Sequence, residues 1–301
     1  MENQLNNIQP AVNMPIITQE KVTRKKDIFN LFKDIQQKPY FEDSKRNIAL
    51  FKANCFDILP RIPENSIDMI FADPPYFLSN GGITCHAGKM VSVNKGKWDV
   101  SKGLEDNFHF TLRWLRECQR VLTLNGTIWV SGTSHIIYTV GSAMQSLGYK
   151  ILNDIAWFKV NPPPNLSCRY FTHSTETIIW AAKNKDSRHF FNYPLMKKMN
   201  NDKQMLSLWS IKAPGSAEKI YGKHPTQKPI ELLDRIVKAS TKTGDIVLDP
   251  FSGSGTTGVA AYKEGRQYIG IELEEEYLKT SIKRLKDEFD SIKYGKEKGK
   301  S

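Results

Sequence analysis

Asp73-Pro74-Pro75-Tyr76 sets an acceptor, two rigid backbone units and a flat ring side by side, directly after the apolar run 67–72. The run predicts a buried strand, which the acid and the prolines stop. Open α/β sheets keep their chemistry at such carboxyl ends of strands. The Asp73 carboxylate, with carbonyls aimed by Pro74 and Pro75, suits the hydrogens of an exocyclic amino group, and the Tyr76 ring offers a face on which a base can stack. Without further support the same tetrapeptide reads as a strand-ending turn carrying an exposed acid.

A second chemical stretch, Asp249-Pro250-Phe251-Ser252-Gly253-Ser254-Gly255-Thr256-Thr257-Gly258, follows another apolar run and opens a helical pattern. Glycines let the backbone approach a ligand, and a helix N-terminus offers N–H donors and positive potential to a carboxylate or phosphate. Glu272 ends the next apolar run, and an acid about 20 residues past such a loop commonly takes ribose hydroxyls. This spacing points to a nucleoside cofactor; a tight structural turn is the other reading. A P-loop needs Gly-Lys-Ser/Thr, whereas Gly258 is followed by Val259. Gly253, Gly255 and Gly258 match G-x-G-x-x-G, but no residues for hydride transfer accompany them.

Positioning these groups calls for alternating strands and helices. Strands are predicted over 48–53, 67–72, 127–131, 151–158, 177–182, 246–248 and 268–271, and helices over 108–122, 135–147, 229–240, 257–263 and 274–289. The alternation predicts an α/β fold with a doubly wound, mostly parallel sheet. Residues 77–103 read as a long polar loop, and 183–223 as an irregular, charged insertion outside the sheet. Residues 1–46 read as a polar N-terminal extension with one amphipathic helix over 27–38, whose apolar face is Ile28, Leu31, Phe32 and Ile35. Residues 291–301 read as a mobile basic tail.

The 301 residues carry 43 Lys and Arg against 32 Asp and Glu, a formal charge of +11, which makes nucleic acid the first partner to consider and an anionic membrane surface the second. Cys55, Cys85, Cys118 and Cys168 lack the paired spacing of a zinc site, so reduced thiols in a cytoplasmic protein and no metal are expected. No apolar run approaches the ~18 residues of a membrane span, and Met1 to Glu20 lacks the pattern of a signal peptide.

With His224-Pro225-Thr226-Gln227-Lys228-Pro229 between them, the two stretches resemble the motif series of beta-group DNA amino-methyltransferases, in which the catalytic motif precedes the cofactor motif. The resemblance covers roughly residues 48–285 and implies a single methyltransferase domain over 47–301 of the S-adenosylmethionine-dependent type. Residues 71–82 and 165–176 are further similar to the second, single-strand-competent adenine methyltransferases of DpnII-type restriction-modification systems, whose site is GATC. The resemblance implies that S-adenosylmethionine is held by Asp249, Phe251, Gly253, Gly255 and Glu272, with Asp57 near its adenine ring and Thr226 and Lys228 near its methionine part. Asp73, Pro74, Pro75 and Tyr76 become the catalytic set, acting on a flipped or single-stranded base. Aspartate at the first catalytic position is typical of adenine-N6 enzymes in the family and serine of cytosine-N4 enzymes.

Recognition of single- or double-stranded DNA is expected from residues 77–103, 165–170 and 183–223, with Lys89, Lys95, Lys97, Asn165, Arg169 and Tyr170 as candidates. A homodimer is compatible with the sequence. Three other readings compete: a cytosine-N4 methyltransferase, a methyltransferase of RNA or protein, and a non-catalytic nucleic-acid-binding protein that keeps the fold.

Overall fold

The structure is a computed structural model describing residues 27–33, 35–78, 83–86, 89–92, 99–162, 164–165, 167–222 and 224–298, of which 83–86, 89–92 and 292–298 are described by backbone alone. Strands β1 (Phe41–Asp43), β2 (Ile48–Lys52), β3 (Ile67–Ala72), β6 (Leu122–Gly132), β7 (Lys150–Phe158), β8 (Thr175–Ala182), β9 (Leu208–Ser210), β10 (Ile246–Asp249) and β11 (Gln267–Glu272) form one sheet in the order β1-β2-β11-β10-β3-β6-β8-β7-β9. Strands β4 (Ile83–His86) and β5 (Lys89–Ser92) form a separate hairpin.

The centre, β2-β11-β10-β3-β6, is parallel. Its strands are apolar on both faces because helices cover both, as in β10, where Ile246, Val247, Leu248 and Asp249 are all buried. One face packs against α1 (Cys55–Ile58), α2 (Leu104–Val121) and α3 (Ile137–Ser146), through Trp114, Leu115, Val140 and Met144. The other packs against α4 (Tyr193–Met199), α5 (Ile230–Ser240), α6 (Thr256–Lys263) and α7 (Glu275–Lys298), through Leu233, Ile236, Ala260 and Leu278. This is the expected doubly wound α/β sheet.

The topology fixes where a ligand can enter. β3 and β10 are neighbours, and the chain continues from β3 toward β6 but from β10 toward β11. Helices therefore leave the two strands in opposite directions, and a crevice opens between their carboxyl ends. Those ends carry Asp73 and Asp249.

Tertiary contacts overrode several sequence expectations. The helix expected over 27–38 is a short 3-10 turn, Ile28–Phe32, capped by the Asp27 carboxylate, which accepts from the Phe29 N–H. The expected apolar face still packs on one core cluster, with Ile28 and Ile35 buried in it, Leu31 and Phe32 against it, and the Phe32 ring meeting Phe51 edge-on at 5.0 Å. Strand β1 lies inside the expected extension and pairs with β2. The 183–223 segment is not outside the sheet, because β9 adds a parallel edge strand to β7 and buries Trp209. The polar loop contains the β4–β5 hairpin, and α7 continues to Lys298 through part of the expected tail.

Candidate active site

Asp73 follows β3 directly, and every oxygen of its carboxylate meets a donor. Oδ1 accepts from the Tyr76 hydroxyl at 2.6 Å and from Ser131 Oγ at 2.6 Å, while Oδ2 accepts from Lys228 Nζ at 2.5 Å. Ser131 comes from β6, next to β3, and Lys228 from the segment leading into α5. The Lys228 ammonium also donates to the Tyr76 oxygen at 3.2 Å and to the Thr226 carbonyl at 3.2 Å, and lies 3.7 Å from Glu176 of β8. Glu176 pairs through its other oxygen with Lys159, which follows β7. The result is a chain of alternating charge, Asp73, Lys228, Glu176 and Lys159, in which Asp73, Glu176 and Lys159 come from the ends of β3, β8 and β7 and Lys228 from the segment before α5.

Burial pushes the Asp73 carboxyl up, but the Lys228 charge and the hydrogen bonds from Lys228, Ser131 and Tyr76 outweigh it and hold the group below the ordinary carboxylate range. Burial favours loss of the Lys228 proton, yet Asp73 and Glu176 hold that ammonium above its ordinary value. The Tyr76 hydroxyl is raised well above its usual value by burial and by the Asp73 and Glu176 charges. The site is therefore an ionised acid against a protonated lysine and a neutral phenol.

Asp99 holds the catalytic loop from the other side. Pro74 and Pro75 have no N–H, so the loop's donors resume at Tyr76. Asp99 Oδ1 accepts from the Tyr76 N–H at 2.8 Å and the Phe77 N–H at 2.7 Å, and Oδ2 from the Leu78 N–H at 3.1 Å. These bonds hold Phe77 at φ 56°, a left-handed conformation uncommon for a residue with a bulky side chain. Asp99 is fully buried. Sequence reasoning passed over it, because an isolated acid at the end of a polar loop carries no spacing signal.

A cavity of about 200 Å³ runs between the two strand ends, from Asp73 and Pro75 past Phe110 and Phe251 to Gly253 and Glu272. Glu272 accepts from the Gly253 N–H at 2.7 Å and the Glu274 N–H at 2.8 Å, and burial raises its carboxyl. Gly253 sits at φ 51°, where a Cβ would come 3.0 Å from the His224 ring. Gly255 sits at φ 76°, where a Cβ would lie 2.0 Å from Ser281 Oγ, so only glycine lets α6 begin there against α7. Thr226 lines this cavity, and a smaller adjoining one is bounded by Thr226, Lys228, Asp249 and Ser254. Apolar walls, an acid and a glycine backbone fit a nucleoside cofactor with a charged tail.

Two cofactor candidates sit differently from expectation. Asp57 is exposed in the first turn of α1, and the residues of that turn that line the cavity are Asn54 and Cys55. Burial lifts the Cys55 thiol to about 12, which leaves no thiolate nucleophile beside the cavity. Asp249 is 2% exposed and uses its oxygens on its own loop, accepting from the Phe251 N–H at 3.0 Å and from Thr257 Oγ1 at 2.6 Å. Among the described residues no cation offsets it, and burial raises this carboxyl to about 7.

Among the nucleic-acid candidates, Arg169 and Tyr170 are exposed on the β7–β8 loop, beside Phe171, which is 96% exposed. The loop rises from the site, since Lys159 and Glu176 stand at its two feet. Asn165 serves as its brace: Nδ2 donates to the Tyr170 carbonyl at 2.6 Å, and Oδ1 accepts from the Ser167 N–H and hydroxyl. Lys89 lies in β5, described by backbone alone, and Lys95 and Lys97 lie outside the described residues. Among the described residues, no helix is long and apolar enough to cross a membrane.

Residues 67–283 match the DNA methylase family that covers N6 and N4 amino-methyltransferases. The chain is 56% identical over 252 residues to the type II methyltransferase M2.LlaDCHI of Lactococcus lactis subsp. cremoris, covering 83% of this chain and 93% of the relative. It is 54% identical over 255 residues to M2.DpnII of Streptococcus pneumoniae, covering 84% and 94%. Among solved structures, the complex of M1.HpyAVI with S-adenosylmethionine superposes with a TM-score of 0.61 at 31% identity, over 79% of this chain and 98% of that one. The cytosine-N4-specific PvuII DNA methyltransferase superposes with a TM-score of 0.65 at 20% identity, over 85% and 95%, a likeness of fold.

Proposed function

Because the chain belongs to the DNA methylase family and is a DNA methyltransferase that uses S-adenosylmethionine, we propose that it methylates N6 of adenine, with GATC as its site. The observation that carries an exocyclic amino group as methyl acceptor is the acceptor count at Asp73, while adenine over cytosine rests on aspartate at the first position of the motif and on the likeness to DpnII-type adenine methyltransferases. A carboxylate offers about four lone-pair directions. Tyr76, Ser131 and Lys228 use three, and one on Oδ2 remains for an amino hydrogen. The Pro74 carbonyl takes the second hydrogen, and the nitrogen lone pair is thereby aimed along the cavity. GATC rests on the likeness of residues 71–82 and 165–176 to DpnII-type adenine methyltransferases.

S-adenosylmethionine, when bound, supplies an electrophilic methyl group. The residues that would hold it are Glu272 at the ribose, Gly253 and Phe251 along the wall, Gly255 through the turn it permits, and Thr226 with Lys228 at the charged tail. Asp249 would contribute by holding the loop. Forming the new N–C bond would break the methyl's bond to sulfur and leave a neutral thioether, and the amine, cationic at that point, would then lose a proton to water. Asp73, kept ionised by Lys228, is placed to stabilise that charge, and holding two reactants in line is worth ~7–11 kcal/mol of barrier.

The Tyr76 ring is only 4% exposed. If a base stacks on it, the ring must first lift from its hydrogen bond to Asp73, so base entry and loop opening are one event in this reading. Extruding adenine from a duplex costs a few kcal/mol more than taking it from a single strand. Arg169, Tyr170 and the 183–223 segment would face the DNA, with Lys89, Lys95 and Lys97 on phosphates. Charge reversal at those lysines would then flatten the salt dependence of binding.

The test is transfer of labelled methyl to oligonucleotides with one GATC, single- and double-stranded, beside GATC-free controls, followed by nucleoside analysis. Label in N6-methyladenine only with GATC is the expected result. Label in N4-methylcytosine would keep the chemistry and overturn the substrate.

A further inference from the structure

We infer that Glu176 is a positioning residue which acts through Lys228 to set the charge of the pocket that receives a cationic methyl donor. The inference rests on the proposed methyltransferase chemistry and adds a residue that lies outside the catalytic and cofactor motifs.

Three ionisable groups meet in a small, nearly dry volume. The side chains of Lys228, Glu176 and Asp73 are 5%, 10% and 11% exposed, and Lys228 Nζ lies within 3.7 Å of both carboxylates. Asp73 and Lys228 alone would cancel, leaving a neutral wall. Glu176 makes the triad net negative. Its second oxygen is tied to Lys159, whose side chain is 23% exposed and therefore partly screened by water. Asp73 and Lys228 both border the cavities described above, so the triad's charge is felt there. S-adenosylmethionine carries a sulfonium and its demethylated product a neutral thioether, so a net negative wall favours the reactant over the product. A carboxylate that merely pinned β8 to the α5 segment would treat the two alike.

Two further features fit this role. Glu176 Oε2 is 3.5 Å from the Tyr76 hydroxyl, so the carboxylate steadies two of the three groups that donate to Asp73, Lys228 and Tyr76. On β8, antiparallel to β6, Glu176 stands two residues before Ile178, the register partner of Ser131. Lys228 can then rest on Glu176 and the Thr226 carbonyl when an amino group takes its place on Asp73.

Calorimetric binding of S-adenosylmethionine and of S-adenosylhomocysteine to the full chain tests this without any turnover. A unit charge roughly 12 Å away, in an effective dielectric of about 20, changes affinity on the order of tenfold. Glu176→Gln should weaken the sulfonium ligand about tenfold and the thioether less than twofold, and Glu176→Asp, which keeps the charge, should restore most of the difference. Lys159→Met, at the exposed rim, should shift the ratio the opposite way. Equal weakening of both ligands in Glu176→Gln, or an unchanged ratio in Lys159→Met, would overturn the inference. Failure of the unsubstituted protein to bind either ligand would instead remove the functional reading on which it rests.

Discussion

Asp73 and Asp249 end adjacent parallel strands, both largely buried, and their carboxyls are driven in opposite directions. Asp73 meets a lysine ammonium and stays ionised; Asp249 meets only a hydroxyl and an N–H and rises to about 7. Burial acts in the same sense on both, so the partner decides the outcome. One strand end is built to hold charge where a reaction needs it, the other to hold a loop in shape. Breaking each partnership should therefore give a different phenotype.

The largest effect is expected at the charged end. Asp73→Ala should reduce methyl transfer by at least about 10³-fold, as removal of a central electrostatic group does, while leaving cofactor binding measurable by calorimetry. Retained turnover would sink its assignment. Lys228→Met removes the cation that holds Asp73 ionised. Breaking a buried pair in this way typically costs about 3–5 kcal/mol, readable as a lower denaturant midpoint. The Asp73 carboxyl should then move up, so the acid limb of the rate–pH profile shifts to higher pH.

A smaller effect should follow at the loop clamp. Asp99→Ala strands the N–H groups of Tyr76, Phe77 and Leu78 and loosens the Asp73–Tyr76 geometry. Misplacement of that order costs about 10²-fold in rate, with cofactor affinity near the unsubstituted value. An equal loss of cofactor binding would point to a collapsed pocket and not a loosened loop.

The smallest effect belongs to Asp249. Its folded value of about 7 stands above the ordinary 3.8, so between those pH values the folded protein holds a proton that the unfolded chain has lost. The contribution of this group to stability thus declines as pH rises from about 4 to about 7. Asp249→Asn should remove that slope, seen as a narrower difference between melting temperatures at pH 5 and pH 8. An identical difference in both proteins would mean that Asp249 is ionised throughout.

The two strand ends also differ in how they could be read in advance. At β10 the partners are close in the chain: Asp249 bonds Phe251 and Thr257, and Gly253 bonds Glu272. A spacing argument captures such contacts, and it identified the loop, the glycines and the acid. At β3 the tetrapeptide was legible, but Ser131, Glu176, Lys159 and Asp99 reach it from separate segments. Only Glu176 falls in a stretch similar to the DpnII-type methyltransferases, 165–176, and nothing in that stretch ties it to Asp73. At the start of α1 the residues that line the cavity are Asn54 and Cys55, while Asp57, two positions on, is exposed, a difference of helical phase that proximity in sequence does not convey.

By itself the sequence determined the alternation of strands and helices, since apolar runs that must be buried on both faces leave few other arrangements. It also determined the two chemical stretches, because prolines and glycines act locally on the backbone. The tertiary structure alone decided that β1 and β9 join the sheet, that Ile28–Phe32 is a 3-10 turn, and that Lys228 rests on Asp73 between two carboxylates. Edge pairing and buried charge networks depend on groups far apart in the chain, and only the folded sheet brings those groups within hydrogen-bond range.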